Sequence, residues 1–290
     1  MRKTLTVIVG VALVGAAAFF IFGVGFLREE ALGIEIDEVD SFQLPFKEEM
    51  GKGFGRICQD LAWDGTYLWV INSDDLEWTY GGKDAPEIIK IHYDGAEGTI
   101  VDSFNIPAPE PGPGPGLQRG LAWDGTYLLL AWGHYTPGKI CVLNPASTGS
   151  FVSSFNTPCA MPYGLAYQPG DPGYLWTVSN ANDTVYRMRR DNGSFVSSFS
   201  IASSLQESGD KVRAPAGLGY DPDNGYIWVA AFGKNDKLYC YTTSGSLVGS
   251  VPAQTNRPHP FGVTWDDTGE YLWYVDACTD TFYRISLLFN

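Results

Sequence analysis

The chain is short of the residues that build most metal and nucleophilic centres. Among 290 residues there are three His and five Cys, with no His-x-x-x-His and no Cys-x-x-Cys pair. That argues against a zinc site and against a nucleophile activated by a neighbouring His. Positive charge is scarce too. Nineteen Lys and Arg face 33 Asp and Glu, for a net charge of −14. Nucleic-acid phosphates are bound through Lys and Arg, so no nucleic-acid partner is expected. An acidic surface suits a soluble body outside the cell.

One segment departs from the rest. Arg2 and Lys3 precede an uncharged run from Thr4 to Leu27. As a helix, those residues would span roughly 36 Å, enough to cross a bilayer. Ala16-Ala17-Ala18 is followed by further apolar sequence, Phe19 to Leu27, rather than by a polar mature start. Residues 1–27 are therefore expected to be an uncleaved signal anchor, with a cleaved signal peptide as the alternative. The short basic N-terminus would lie inside and the body outside, making the protein extracytoplasmic and membrane-anchored, or secreted after cleavage. Residues 28–35 read as a spacer.

What is abundant is Gly (34), Pro (18) and aromatic side chains (14%), as in many strands joined by tight turns. One phrase recurs five times. It reads Leu61-Ala62-Trp63-Asp64-Gly65-Thr66-Tyr67-Leu68-Trp69, then Leu121 to Leu129 almost verbatim, with looser copies at Gly164, Gly217 and Gly262. The aromatic ending the first strand of each copy falls at 63, 123, 167, 220 and 265, the spacing of four-stranded propeller blades. Asp-Gly marks a hairpin turn in the first two copies. The fifth copy lacks its last strand. Asp37-Glu38-Val39-Asp40-Ser41-Phe42 supplies it, since it copies Val101-Asp102-Ser103-Phe104. The predicted fold is all-β: a five-bladed propeller of four-stranded blades over residues 36–290, closed by its N-terminal strand, so that no sheet edge is left at the seam.

Met161-Pro162-Tyr163-Gly164-Leu165-Ala166-Tyr167, followed by Gly173 to Asn180 and Thr184-Val185-Tyr186-Arg187, resembles an NHL/YncE-type propeller blade. The resemblance covers about residues 36–290 and rests on pattern, not on a catalytic motif. NHL propellers usually have six blades; five are visible here. Glutamine cyclotransferase is a five-bladed relative whose functional residues find no match at positions of this chain. The resemblance implies a secreted or membrane-tethered propeller that binds partners, and it transfers no site.

Within each blade, with strands A to D, the A–B and C–D turns lie on one face and the B–C and D–A connections on the other. The second set is longer and more varied, which marks that loop face as the expected binding surface. The candidate ligand-binding residues are Asp60, Asn72, Asp74 and Trp78 in the first blade and Arg119, Trp132, His134 and Tyr135 in the second. Tyr163 and Asn180 follow in the third, Arg213 in the fourth, and His259 and Asp276 in the fifth. Asn72, Trp132, Ser179, Ala231 and Asp276 share one place at the end of strand B. Trp69, Trp176, Trp228 and Trp273 repeat at one position and read as inter-blade core; Trp63, Trp123 and Trp265 read likewise as scaffold. Trp78 and Trp132 break the pattern and are the aromatics expected to be open to a ligand.

No cofactor is expected. Asp74-Asp75 and Asn180-Ala181-Asn182-Asp183 offer oxygen ligands of the kind Ca²⁺ takes, without EF-hand spacing. Cys58 and Cys278 fall on neighbouring blades of one face, so a bridge across the seam is expected in an oxidising compartment. Pro107 to Gly116 is a low-complexity, stiff connection between blades. The reading that follows is a binding module for an unidentified protein, peptide or glycan. The alternative is a propeller enzyme, a hydrolase, lyase or glutamine cyclotransferase-like protein with carboxylates at the channel mouth.

Overall fold

The computed structural model describes residues 33–44, 57–73, 87–107, 118–132, 137–205, 213–233, 236–254, 259–277 and 279–289. The expected N-terminal helix lies outside them. Among the described residues no helix is long and apolar enough to cross a membrane.

Among the described residues twenty strands form five antiparallel sheets of four. Blade I holds β2 (Ile57–Trp63), β3 (Tyr67–Ser73), β4 (Glu87–Tyr93) and β5 (Gly98–Asn105). Blade II holds β6 (Gln118–Trp123), β7 (Leu128–Trp132), β8 (Lys139–Asn144) and β9 (Ser150–Asn156). Blade III holds β10 (Pro162–Gln168), β11 (Tyr174–Ser179), β12 (Thr184–Arg189) and β13 (Phe195–Ser200). Blade IV holds β14 (Arg213–Asp221), β15 (Tyr226–Gly233), β16 (Lys237–Thr242) and β17 (Leu247–Pro252). Blade V holds β18 (Pro260–Asp266), β19 (Tyr271–Asp276) and β20 (Thr281–Phe289). Its fourth strand is β1 (Ile34–Gln43), which pairs with β20 from Ile34↔Phe289 to Gln43↔Thr281. The expected closure is therefore present, and β1 starts two residues before the expected propeller boundary. The inner strands β2, β6, β10, β14 and β18 each touch the next in a ring.

The repeated phrase explains the packing. A small residue on the inner strand faces a large one on the second: Ala62↔Trp69, Ala122↔Leu129, Ala166↔Trp176, Gly219↔Trp228 and Thr264↔Trp273. The four Trp are buried between blades. A polar residue at or just past the end of each inner strand anchors the turn, the core Trp or both. Asp64 Oδ1 accepts from the amides of Thr66 and Tyr67, at 2.9 and 2.8 Å, while Gly65 takes φ +91°. Asp64 Oδ2 accepts from Trp69 Nε1 at 2.7 Å, which fastens the turn to the core aromatic. Gln168 and Asp266 hold Trp176 and Trp273 in the same way, at 3.0 and 3.4 Å. In blade II a Leu replaces the Trp, and Asp124 instead takes the guanidinium of Arg190 from blade III, with Nε at 2.7 Å.

Candidate functional site

Every inner strand carries a bulge at the same point, where its residues step out of register with the second strand. The bulges bring Asp60, Gly120, Gly164, Gly217 and Gly262 together around the axis. The spacing there is too tight for side chains. A Cβ on Gly120 would lie 2.9 Å from the Gly164 carbonyl carbon, and one on Gly164 would lie 2.5 Å from Leu218 N. On Gly217 it would meet Phe261 O at 2.0 Å, and on Gly262 it would meet Asp60 Cα at 2.7 Å. Four glycines thus leave room for one side chain, that of Asp60.

The Asp60 carboxylate is fully buried and is held by backbone amides from several blades. Oδ2 accepts from Leu121 N at 2.8 Å and Leu165 N at 3.2 Å. Burial pushes its pKa well above the ordinary value; the amides of Leu121, Leu61, Leu165 and Val263 pull it back. Asp60 is a plug that joins blades I, II, III and V. With no accessible surface, it cannot touch a solute.

The other expected site residues fall into small, separate groups. Arg119 donates to Gln59 Oε1 and lies over the Tyr163 ring at 5.1 Å, linking blades I, II and III. Gln59 was not anticipated; it stands immediately before the ring position, as Arg119 and Tyr163 do. His259 and Asp276 meet in blade V, where Asp276 Oδ2 accepts from His259 N at 2.8 Å. Its Oδ1 accepts from the Thr279 amide and hydroxyl at 3.0 and 3.1 Å. The His259 ring stacks on Phe232, with centroids 6.1 Å apart. Asn180 reaches across to Pro215 O at 3.1 Å, tying blade III to blade IV. Asn72 donates to Glu87 Oε1 at 3.2 Å inside blade I. Asn72, Trp132, Ser179, Ala231 and Asp276 do share one place, opposite Cys58, Gln118, Pro162, Pro215 and Pro260, at or one residue before the inner-strand bulge. That place is interior, and all five are buried.

Two expectations are corrected. Trp132 is not an open aromatic: it is 8% exposed and belongs to the core cluster between blades I and II, with Ile71, Ile88 and Leu130. The end of strand B turns inward, so an aromatic there packs. Cys58 is not bridged to Cys278; it is a free, buried thiol bonded to Asp280. Burial pushes the Asp280 carboxyl up to about 6, opposed by bonds from Cys58. Cys278 lies outside the described residues, as do Asp74, Asp75, Trp78, His134 and Tyr135. Arg213 is described through its backbone, which pairs with Gly233. Among the described residues no three His, Cys, Asp or Glu side chains converge as metal ligands. In the loop offered for Ca²⁺, Asn182 Nδ2 is engaged by Tyr186 Oη at 2.9 Å.

At the opposite end of the channel, on the face of the A–B turns, the inner strands open into a cavity of about 360 Å³. Its size lies within the range of small-ligand sites. One aromatic from each blade walls it: Trp63, Trp123, Tyr167, Tyr220 and Trp265. These rings also pack between blades, Trp63 against Trp273 with centroids 6.5 Å apart, so the packing that builds the ring fixes the wall. Ala122, Leu165 and Ala166 add small apolar surface, and Asp64, Asp124 and Asp267 belong to the lining. Burial pushes the Tyr167 and Tyr220 hydroxyls up, which keeps them neutral donors. The expected scaffold role of these aromatics is real, and the cavity is a second role that the sequence did not suggest.

Five four-stranded blades around an axial channel make this chain a five-bladed β-propeller. It is similar to the crystal structure of Myxococcus xanthus glutaminyl cyclase, with TM-score 0.60 and 11% identity over 89% of this chain and 98% of that one. It is also similar to a luciferin-regenerating enzyme, with TM-score 0.50 and 14% identity over 86% of this chain and 95% of that one. At these identities the likeness is one of fold. No family model matches the sequence, and no curated protein matches it at a significant level.

Proposed function

We propose that the chain is a ligand-binding propeller, held outside a membrane by its N-terminal segment, whose ligand enters the cavity at the turn end of the channel. The ligand is a protein, peptide or glycan group. The observation that carries this reading is the cavity itself, walled by one aromatic from each of the five blades. A concave, largely apolar wall with a few polar groups is what small-ligand sites have in common. The uncharged run Thr4 to Leu27 after Arg2 and Lys3 supports the anchor, and the net charge of −14 suits an exposed body.

The likeness to a glutaminyl cyclase favours a second reading, a propeller enzyme. Most of the described carboxylates on the loop face are already committed, Asp183 being the exception, a half-buried carboxylate whose pKa is raised by burial alone. Asp276 serves the His259 and Thr279 amides, Asp236 caps Gly233 N, Asp280 bonds Cys58, and Asp60 is enclosed. None is placed as a free acid–base pair. One experiment separates the readings: the full-length protein is probed on peptide and glycan arrays and, in parallel, incubated with peptides bearing N-terminal Gln. The proposal expects array binding that falls in Trp63→Ala, with no pyroglutamate formed. Turnover without such binding would overturn it in favour of the enzyme.

A further inference from the structure

The five A–B turns share one sign of charge. Residues 64–66, 124–127, 169–173, 222–225 and 267–270 contain Asp64, Asp124, Asp171, Asp223, Asp267 and Glu270, and no Lys, Arg or His. These turns frame the aromatic cavity. Asp64, Asp124 and Asp267 line it, and no basic side chain does among the described lining residues. Arg190 neutralises Asp124 from behind. Asp64 meets only neutral donors, the two turn amides and the Trp69 indole, so its charge is not cancelled. Asp267 is exposed. A rim of one sign around a low-dielectric concavity focuses its field inward and draws in ligands of opposite charge.

The chain shows what such aromatics take when a cation is available. Lys90 lies over Tyr67 at 3.9 Å and Trp69 at 4.8 Å. Arg187 lies over Tyr174 at 3.7 Å and Trp176 at 5.2 Å, and Arg284 over Tyr271 at 3.5 Å and Trp273 at 5.8 Å. In blades I, III and V the strand-B aromatics thus receive a cation from strand C. The inner aromatics that wall the cavity have no such cation among its lining residues. Anions meet the wrong sign of charge there. A polyol needs several free in-plane acceptors, whereas both oxygens of Asp64 and of Asp124 are already engaged. An ammonium carrying apolar substituents fits both the wall and the rim, since its charge is spread over a soft surface that aromatic rings attract.

Resting on the proposal that this cavity is the binding site, we infer that its ligand is an organic ammonium group, alkylated at nitrogen. Two sources share that chemistry: the methylated lysine of a peptide, which keeps the ligand class proposed above, and a free quaternary amine, which would replace that class while keeping the cavity as the site.

The test titrates the full-length protein with tetramethylammonium, choline and a short trimethyl-lysine peptide, following intrinsic tryptophan fluorescence. 3,3-Dimethylbutanol serves as the neutral shape-mimic of choline. The inference expects saturable binding of the ammonium probes, at least tenfold tighter than the neutral mimic and weakened by added salt. Asp267→Lys, on an exposed turn where folding is not at stake, should weaken it at least tenfold, and Asp267→Asn less. Tighter binding of the peptide than of choline assigns the peptide source; the reverse assigns the free amine. Equal binding of choline and its neutral mimic would overturn the ammonium inference and leave the cavity as a binding site. No binding of any probe, with array ligands indifferent to Trp63→Ala, would overturn both.

Discussion

The propeller carries two sets of repeated aromatics that differ in what meets them. The outer set, on the second strand, includes Trp69, Trp176 and Trp273. Each is buried, each indole is bonded to a residue at or just past the end of the inner strand, and each stacks with a Lys or Arg from its own blade. The inner set, Trp63, Trp123, Tyr167, Tyr220 and Trp265, packs on one side and walls an acid-rimmed cavity on the other. A repeat thus uses one residue class twice. Where the chain supplies every partner, the aromatic is frame; where it leaves a side unsupplied, the aromatic is surface for something else.

The largest expected effect falls on the outer set. Trp176→Ala should cost about 3–5 kcal/mol, the usual loss for emptying a buried indole site, because Trp176 is 0% exposed. Urea denaturation of the variant measures it. Trp123→Ala, at a half-buried site, should cost clearly less stability; equal losses would erase the distinction between the sets.

Asp60→Ala comes next. It removes the acceptor shared by amides of several blades, and unsatisfied buried groups cost about 1–3 kcal/mol each. A loss of about 3 kcal/mol by the same denaturation is expected. An unchanged midpoint would mean that the ring of glycines closes the channel floor unaided.

Asp280 tests the seam by pH. Its carboxyl is pushed up to about 6 by burial, from an ordinary value of 3.8. The folded state therefore holds this proton more tightly than the unfolded chain. Its contribution is most favourable below the unfolded value and declines as pH rises from about 4 to about 6, by roughly 2–3 kcal/mol. In Asp280→Asn that part of the decline should vanish; an unaltered stability–pH profile would contradict the assignment.

The smallest effect concerns the self-supplied cations. Arg187→Gln should cost about 0.5–1 kcal/mol, the range for an accessible cation over an aromatic face. It should not weaken ammonium binding, since Arg187 serves the outer set and its positive charge reaches the cavity only at the Tyr220 hydroxyl. A loss of ligand affinity would blur the two sets.

The frame was largely legible from the chain because each structural demand repeats five times. The copies of Gly-Leu-Ala-Trp located the inner strands, and Val39-Asp40-Ser41-Phe42 identified the closing strand, which pairs with the last blade as expected; the structure adds the register, Phe42 opposite Phe282. The site was legible only in part. Asp60 stands in the column of Gly120, Gly164, Gly217 and Gly262, so its oddity was visible. That the column is too tight for any other side chain follows only from how the blades converge. Trp132 looked exceptional because its counterparts are Asn72, Ser179, Ala231 and Asp276, yet all five point inward. Loop length drew attention to one end of the channel. The cavity at the other end is built from one aromatic of each blade, a convergence that no single blade's pattern contains.

The most direct test of the two-set account labels all nine Trp with 5-fluorotryptophan and follows their ¹⁹F resonances, assigned by single Trp→Phe variants, as tetramethylammonium is added. The account predicts that Trp63, Trp123 and Trp265 shift and saturate together while Trp69, Trp176, Trp228 and Trp273 stay in place. Shifts confined to the outer four, or no saturable shift in the inner three, would contradict it.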